Sequence, residues 1–293
     1  MKKLTEEEIY RFCLLTGRPY FGGHLHATQG HLSRHGYMHC LVLNEAARRP
    51  NQPLHILEIG SWAGGSAITW ANALKTAGAA GKVFCVDLWK PYVRAETVQS
   101  RNMKAMNQEL HSGEIFPLFL HNIRASGHED IVVPIRGESR AVLPLLGDRK
   151  FPILFVDGDH RYEAAHSDIT QSLELVASDG VLCGDDLELQ ISEIDAAGAW
   201  AKKDEDYIRD AKTGKPYHPG VTLAVGKIFD KVAVWDGFWA VRKTAAGWQP
   251  VDMAKPAALP MPEHLQPSSI QLTFELTEHL NDLTEDLKRV EIL

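Results

Sequence analysis

The chain has 293 residues, of which 44% are hydrophobic and 24% charged, a composition typical of a globular protein with a substantial core. Its formal charge of −7 disfavours a nucleic-acid partner, because nucleic-acid-binding proteins usually carry a basic face. No apolar run reaches the ~20 residues of a membrane span, and the start lacks the apolar core of a signal peptide, so we expect a cytoplasmic protein without a membrane partner. Four cysteines, far apart among apolar residues, indicate buried reduced thiols and disfavour a disulfide framework or a zinc site: Cys13, Cys40, Cys85 and Cys183.

The first part of the chain is predicted to be helical. Thr5 and Glu8 match a capping box at a helix start, and Gly17 suits the end of that helix. Residues 24–39 then contain five histidines, His24, His26, His31, His35 and His39. A metal cluster is one interpretation, but the spacings match no ligand motif, and a polar approach to the substrate beside a surface helix is the alternative.

Residues 55–74, HILEIGSWAGGSAITWANAL, predict a strand, a glycine-rich turn and a helix. Gly60 and Gly64 let the backbone approach a ligand closely, and the helix start offers unpaired N–H groups. The spacing differs from the G-x-G-x-x-G of dinucleotide-binding turns, and a purely structural turn is the alternative. The next strand, VFCVD, ends in Asp87, which is suited to accept hydrogen bonds from ribose hydroxyls.

The connection between Leu88 and Asp130 is long for a compact domain, and we expect part of it to cover a bound ligand. An ordinary helical crossover is the alternative. Residues 131–135 predict a third strand, which runs into Glu138 and Ser139.

Residues 151–188 predict a strand, a helix and a second strand parallel to the first. The first strand runs into Asp157-Gly158-Asp159-His160 and the second into Asp185-Asp186. Parallel strands end at one edge of the sheet, where ligands bind in open α/β proteins. Carboxylates that converge there repel each other unless a cation joins them. Alternatively, the acids cap helices or pair with Arg140 and Arg161.

Further along the chain, residues 191–210 are predicted to be helical. The runs VTLAVGKIF (221–229) and KVAVWDGFWAVRK (231–243) are rich in β-forming residues and are predicted to be strands. The tail has apolar residues at alternating steps of four and three, which predict either a coiled coil in a homo-oligomer or a helix docked on its own domain. These residues are Leu276, Leu280, Leu283, Leu287 and Val290.

The motifs EIGSWAGGS and VFCVDLW resemble the cofactor motifs of class I S-adenosylmethionine-dependent methyltransferases. The D-G-D-H and D-D pattern is similar to the metal-dependent small-molecule O-methyltransferases, above all the branch that methylates sugars of macrolides and related glycosides and includes cephalosporin-hydroxylase-like proteins. The resemblance implies a Rossmann-like, doubly wound α/β sheet, mostly parallel with an antiparallel last strand and with helices on both faces. The resemblance covers roughly residues 52 to 245. We expect a helical substrate-side segment (1–51), a methyltransferase domain (52–248), and a linker with an amphipathic helix (249–293).

The same resemblance implies the site. S-adenosylmethionine would contact Glu58, Gly60, Ser61, Gly64, Ser66, Asp87, Glu138, Ser139 and Asp157. The metal ligands would be Asp157, Asp185 and Asp186, with Asp159 as a competitor for the first place, and oxygen ligands favour magnesium or manganese. His160 takes the place of a lysine base in distant relatives and would remove the acceptor's proton, unless it is structural.

The activity implied is metal-dependent O-methylation of a small polyhydroxylated acceptor, such as a sugar of an antibiotic or other natural product or of a glycan. Two other classes stay open at this point. One is a hydroxylase-like or non-catalytic binding protein that keeps the fold. The other is a dinucleotide-linked oxidoreductase, which the glycine spacing disfavours.

Overall fold

A computed structural model of the chain describes residues 5–22, 25, 28–92, 101–254 and 256–265. The described helices are α1 (Glu6–Thr16), α2 (Leu32–Arg48), α3 (Gly65–Thr76), α4 (Arg101–Ser112), α5 (Ile115–Ala125), α6 (Ser139–Val142), α7 (Tyr162–Leu175), α8 (Ala196–Ala201) and α9 (Pro219–Ile228), with 3₁₀ turns at Leu143–Leu146 and Glu263–Leu265. The strands are β1 (Ile56–Ile59), β2 (Val83–Asp87), β3 (Val132–Arg136), β4 (Phe151–Val156), β5 (Val176–Leu187), β6 (Ile208–Arg209), β7 (Pro216–Tyr217), β8 (Ala233–Trp235), β9 (Gly237–Thr244) and β10 (Gly247–Pro250). The predicted leucine seam of the tail, His24 and His26 lie outside the described residues.

The main sheet has the strand order β10–β9–β5–β4–β1–β2–β3, and β8 also pairs with β9. All neighbours from β5 to β3 are parallel. By contrast, β9 runs antiparallel to β5, β8 and β10. This topology confirms the predicted Rossmann-like sheet, and it brings the carboxyl ends of β1, β2, β4 and β5 to one edge.

Helices cover both faces of the sheet. All six residues of β4 are buried, which explains why its sequence lacks polar alternation. On one face Trp70 of α3 packs against Phe155, and on the other Phe229 packs against Trp239 of β9. Helix α2 packs on α3, and α9 packs on α7. The four cysteines are buried free thiols, as predicted.

The run 221–229 is helical, so the prediction of a strand there is wrong. It belongs to α9, in which every residue from Pro219 to Val225 is buried. A helix that is buried all round shows no amphipathic period, and its short apolar run therefore looks like that of a buried strand. Pro219 was the missed signal, because proline favours the first turn of a helix. The other predicted run, 231–243, forms β8 and β9 as expected.

Within residues 191–210 the predicted helix is confirmed only at α8. Residues 202–207 form turns, and β6 then begins a short hairpin with β7. The stretch KKDED, residues 202–206, is charged throughout, so it has no apolar face that could hold a helix against the core. This turn carries Asp206 to the sheet edge.

The segment after β10 returns along the domain. Val251, Met253 and Leu265 are buried, and the imidazole of His264 lies 2.9 Å from the carbonyl oxygen of Gly65 at the start of α3. The boundary between domain and tail at residue 249 stays a prediction. None of the helices that the structure describes has both the length and the apolar character needed to cross a membrane.

Candidate active site

Two adjoining cavities lie at the carboxyl ends of the parallel strands. The smaller cavity, of about 290 Å³, lies over the ends of β1 and β2 and beside the loop after β3. The larger cavity, of about 550 Å³, lies over the ends of β4 and β5. Residues shared by both walls show that the cavities are continuous: Gly60, Trp62, Tyr92, Met106, Asp157 and Gly158.

The glycine turn after β1 lies directly against the end of β4. Gly60 has a φ of 86°, and a Cβ on it would come within 1.9 Å of the carbonyl oxygen of Asp157, so only glycine fits here. Asp87 fixes the turn from the other side. Its Oδ2 accepts the N–H groups of Ser61 and Trp62, both at 2.9 Å, and its Oδ1 accepts that of Trp89 at 2.7 Å.

Asp87 therefore lines the smaller cavity and also holds the glycine turn in place through hydrogen bonds. Burial raises the pKa of its carboxyl, against the lowering effect of the backbone N–H groups. The N–H groups of Ser61, Trp62, Trp89 and Leu88 all stabilise this carboxylate, which also lines the smaller cavity. The sequence predicted the ligand contact and missed the role in the turn.

Seven of the nine predicted cofactor residues line one of the two cavities: Gly60, Ser61, Ser66, Asp87, Glu138, Ser139 and Asp157. Glu58 lies buried beneath the turn and accepts a 2.6 Å hydrogen bond from Ser61. Gly64 caps α3 and faces Phe119 and Ile123. Cofactor contact by Glu58 and Gly64 stays a prediction.

The connection after β2 contributes to the wall. Tyr92, Met106 and Leu110 line the smaller cavity, in keeping with the expectation that this connection covers a ligand. Residues 93–100 of the connection lie outside the described part of the chain.

A buried arginine lies between the first two predicted metal ligands, Asp157 and Asp185. Arg34 of α2 is only 4% exposed, and its Nη1 donates to Asp157 Oδ2 and Asp185 Oδ2, both at 2.7 Å. Its Nη2 donates to the carbonyl oxygen of Gln29. Burial raises the pKa of both carboxyls, and the Arg34 guanidinium opposes that rise. The acids converge as predicted, but the positive charge between Asp157 and Asp185 is the guanidinium of Arg34.

The third predicted metal ligand, Asp186, points away from Arg34. Asp186 has a φ of 64°, and the pairing of β5 with β9 is irregular between Gly184 and Leu187. This bulge turns Asp185 toward Arg34 and Asp186 toward two histidines. Asp186 Oδ2 lies 3.0 Å from His160 Nε2, and its Oδ1 lies 3.6 Å from His218 Nδ1. Burial would raise the pKa of Asp186, but the two imidazoles lower it well below its ordinary value.

His160 has a carboxylate at each ring nitrogen. Its Nδ1 lies 2.8 Å from Asp206 Oδ1, opposite the contact of Nε2 with Asp186. Burial alone would lower the pKa of His160, but Asp186 and Asp206 outweigh it and raise that pKa well above its ordinary value. Each ring nitrogen therefore faces a carboxylate oxygen in this arrangement. It can act as a base only when Nε2 gives up the contact with Asp186.

His218 extends this chain of alternating acids and imidazoles. Its Nδ1 lies 2.9 Å from Glu188 Oε1, and its ring lies 4.6 Å from that of His160. Tyr207, which is 49% exposed, packs at 4.7 Å on the other side of His218. All of these residues line the larger cavity.

Side chains of the larger cavity lie close enough together to hold a metal ion. Among the described residues, three groups have ligand atoms that lie within 4.8 Å of one another: Asp157–His160–Asp186, His160–Asp206–His218 and Asp186–Glu188–His218. Asp157 and Asp186, as carboxylates, fit a magnesium or manganese ion. Ligation by Asp185 stays a prediction, and it requires Asp185 to exchange Arg34 for the ion.

The competitor Asp159 is engaged elsewhere. The Nε of Arg161 donates to both of its oxygens, at 3.0 and 2.9 Å. The alternative interpretation of the acids after β4 and β5 was that they pair with Arg140 or Arg161. Of these acids, only Asp159 does so. Of the described N-terminal histidines, His35 is buried and contacts Thr69 Oγ1 at 2.7 Å, in keeping with a structural role.

Sequence reasoning missed four residues of the larger cavity: Arg34, Glu188, Asp206 and His218. Arg34 precedes Asp157 by 123 residues, and no local motif marks it. Asp206 belongs to the stretch predicted to be helical. For His218 the available signal was its position just before Pro219, at the start of a buried helix.

Comparison with known proteins agrees with this architecture. Residues 57–187 match the family model described as a methyltransferase domain. No curated protein matches the chain by sequence. The O-methyltransferase NovP has a similar fold, with a TM-score of 0.50, 16% sequence identity, and coverage of 72% of this chain and 80% of that one.

Two further solved structures are similar at lower scores. An O-methyltransferase from Bacillus cereus in complex with SAH has a TM-score of 0.42 and 16% identity, covering 82% of this chain and 89% of its own. CalS11, a TDP-rhamnose 3'-O-methyltransferase of calicheamicin biosynthesis, has a TM-score of 0.40 and 15% identity, covering 82% and 87%. The family match spans β1 to β5, the strands that carry the glycine turn, Asp87 and the acidic edge. Residues 57–187 therefore match a methyltransferase domain, and the solved structures show the same fold.

Proposed function

We propose that the chain is a class I S-adenosylmethionine-dependent methyltransferase, which transfers the methyl group to a hydroxyl of a small polyhydroxylated acceptor with the help of a divalent cation. The observation that carries the proposal is the junction of the two cavities at Asp157 and Gly158. A nucleoside in the smaller cavity would direct its sulfonium across this junction. The larger cavity on the far side offers carboxylates and imidazoles, the groups that bind and deprotonate hydroxyls.

The cofactor's position follows from the walls of the smaller cavity. Asp87 is available to a ribose hydroxyl, and Glu138 and Ser139 border the far end, where the adenine ring would lie. Ser61 and Ser66 face the larger cavity next to the glycine turn and would border the methionine part. The N–H groups of Ser61 and Trp62 are taken by Asp87, so the carboxylate of the methionine part must rely on other donors.

The cation would be held by Asp157 and Asp186. When bound, it would lower the pKa of the acceptor hydroxyl and orient its oxygen toward the methyl group. His160 is the proposed proton acceptor, because its Nε2 faces the same space as Asp186. Magnesium and manganese are both compatible with the carboxylate ligands.

The acceptor class is inferred from the larger cavity. Glu188, Asp206 and His218 can all accept or donate hydrogen bonds to hydroxyls, and the exposed ring of Tyr207 offers a flat surface to a sugar. The names of NovP and CalS11, both O-methyltransferases and one acting on TDP-rhamnose, support a glycoside acceptor. The excess of carboxylates disfavours a nucleic-acid phosphate in this cavity. Homo-oligomer formation through the tail stays a prediction.

The test is transfer of a labelled methyl group from S-adenosylmethionine to a panel of methyl glycosides, aminoglycosides and catechol. We expect a labelled glycoside, loss of activity in excess chelator, and recovery on addition of magnesium or manganese. Asp186→Asn should need a higher magnesium concentration for the same rate. Asp252→Asn, at an exposed acid outside both cavities, is the matched control and should behave as the parent. Full activity in excess chelator would remove the cation from the proposal, and absence of transfer to every acceptor would contradict the proposed class.

A further inference from the structure

Asp236 lies in the turn between β8 and β9 and lines the larger cavity. Trp235 pairs with Phe238, so the turn consists of Asp236 and Gly237 alone, and their φ values are 51° and 91°. A two-residue hairpin turn with positive φ at both positions favours Asn-Gly as well as Asp-Gly. The turn therefore explains the shape of the backbone, but it does not explain why the side chain carries a negative charge.

The carboxylate of Asp236 is oriented by Tyr37 of α2. The Tyr37 hydroxyl donates to Asp236 Oδ2 at 2.8 Å, and Tyr37 is only 7% exposed. Its ring stacks against Trp235 and Phe238, at centroid distances of 6.0 and 6.3 Å, so the hydroxyl is held in place. Within the described part of the chain, no side chain donates to Oδ1, and Oδ2 keeps a second lone pair.

Asp236 differs in its partners from the other acids of the larger cavity. Each of those contacts an arginine or a histidine: Asp157, Asp185, Asp186, Glu188 and Asp206. Asp236 is exposed, and none of the described arginines, lysines or histidines pairs with it. Its charge is therefore available to a ligand hydroxyl, and hydrogen bonds to a carboxylate are roughly twice as strong as those between neutral groups.

The turn also adjoins the acidic edge of the sheet. A Cβ on Gly237 would lie 3.6 Å from Asp185 Oδ1 and 3.9 Å from the backbone nitrogen of Asp186. An acceptor whose reacting hydroxyl lies beside Asp186 would therefore extend toward the turn. The family match ends at residue 187, so this part of the wall is not included in it.

We propose that Asp236 is an acceptor-binding residue, which accepts hydrogen bonds from two hydroxyls on neighbouring carbon atoms of a sugar, beside the hydroxyl that is methylated. Two carboxylate oxygens can receive such a pair in the way that they receive the two parallel N–H groups of an arginine. This inference rests on the proposed function, and it narrows the acceptor to a sugar with at least three hydroxyls close together.

The first test is the kinetics of Asp236→Asn in the full-length chain. Asparagine keeps the turn, and its Oδ1 can still accept from Tyr37, so the variant removes the charge without removing the local structure. With a methyl hexopyranoside as acceptor, we expect KM to rise ~10-fold, because charge-assisted bonds are lost. The value of kcat should stay within about twofold of the parent's, since the contact is the same in the ground state and the transition state.

Asp179→Asn is the matched control. Asp179 is also exposed, has a φ of 57° and precedes a glycine, but it lines neither of the two cavities. Its substitution should leave the KM for the glycoside at the parent's value.

Monodeoxy analogues of the same glycoside show which hydroxyls Asp236 contacts. Removal of a contacted hydroxyl should raise the parent's KM ~10-fold, but it should have little effect on Asp236→Asn, in which that bond is already weak. Removal of any other hydroxyl should affect both proteins equally. We expect two hydroxyls on neighbouring carbons to show this dependence on Asp236. A residue that acted only on folding would give the same response to every analogue.

Calorimetric titration of the glycosides into the chain with S-adenosylhomocysteine bound measures the same contact without methyl transfer. The inference is overturned if the parent binds no glycoside, if Asp236→Asn keeps the parent's KM and Kd, or if no monodeoxy analogue distinguishes the two proteins. If the parent binds glycosides through Asp236 but methylates none, the proposed function fails and the contact stands. If the parent methylates a glycoside and Asp236→Asn behaves like it, only this inference fails.

Discussion

The two cavities are built in different ways. The smaller one is lined mainly by residues at or just after the ends of β1, β2, β3 and β4, all within the family match. The larger one takes Arg34 from α2, Asp157 and Asp186 from the sheet edge, and Asp206 and His218 from loops beyond the family match. The smaller cavity, the proposed cofactor side, is therefore built within the family match, whereas the larger cavity, the proposed acceptor side, also takes residues from outside it.

The two cavities also differ in the groups that stabilise their acidic side chains. Asp87 on the cofactor side is satisfied by backbone N–H groups of neighbouring turns. The acids on the acceptor side depend on side chains that arrive from far away in the sequence, Arg34 and His160 above all. Substitutions on the acceptor side should accordingly affect turnover and folding stability without affecting cofactor affinity, and this separation can be tested residue by residue.

The largest effect is expected for His160→Gln. Glutamine can keep a hydrogen bond to Asp206 but cannot take a proton, so turnover should fall ~10²–10⁴-fold, the usual contribution of a positioned base. A more alkaline buffer should recover part of the loss, because hydroxide can then take the acceptor's proton in place of the imidazole. Initial rates of labelled methyl transfer at saturating S-adenosylmethionine measure the effect. His111→Gln, at an exposed histidine of α4, is the control. Parent-like turnover would place the base elsewhere.

The next effect concerns stability. Arg34→Met leaves Asp157 and Asp185 without their guanidinium, and removal of one partner from a buried ion pair typically costs about 3–5 kcal/mol. Urea unfolding should show a loss of this size. Arg48→Met, whose guanidinium pairs with Asp179 and whose side chain is 48% exposed, should cost at most about 1 kcal/mol.

Unfolding of Arg34→Met in the presence of added magnesium tests this prediction further. If added magnesium restores the stability of Arg34→Met, the ion can take the place of the guanidinium between Asp157 and Asp185. If the loss in Arg34→Met is no larger than that in Arg48→Met, Arg34 does not hold the acidic edge together.

The smallest effect tests a buried acid of the cofactor side. Asp168 of α7 lines the smaller cavity and accepts a 2.6 Å hydrogen bond from Ser139. Burial raises the pKa of Asp168 to about 6, from 3.8 in the unfolded chain. Because the folded-state pKa is the higher one, the ionised carboxylate costs stability above about pH 6, and that cost disappears as the pH falls toward 4.

Asp168→Asn should therefore raise the free energy of unfolding by about 1–3 kcal/mol at pH 8. The gain should shrink at pH 5 and vanish near pH 4. Urea unfolding of parent and variant across this pH range measures it. A gain that grows toward acid pH would show that the sign of the pKa shift is wrong.

The sequence was sufficient wherever the chemistry is local. The strand, glycine turn and helix at residues 55–74 were predictable because their signals lie next to one another. The same is true of Asp87 and of the acids that follow β4 and β5. Parallel strands place their ends at a common edge, so the convergence of these acids followed from topology alone.

The remaining parts of the site depend on long-range packing. Nothing near Arg34 shows that its guanidinium will lie between two carboxylates from other elements. The left-handed conformation of Asp186, which separates it from Asp185, arises from a bulge against β9. The sequence predicts a strand at α9 because burial on all sides hides the helical period. It predicts a helix around Asp206, but the charged neighbours of Asp206 provide no apolar face for one.

The separation of the two cavities is tested most directly by calorimetric titration of S-adenosylhomocysteine into the parent, Asp87→Ala and His160→Gln. We expect one site per chain. Loss of the charge-assisted bond and of the anchor for the turn in Asp87→Ala should weaken binding by ~1.5–3 kcal/mol, roughly 10- to 100-fold in Kd. His160→Gln should bind as tightly as the parent. Equal affinity in Asp87→Ala, or an equally large loss in His160→Gln, would contradict the account.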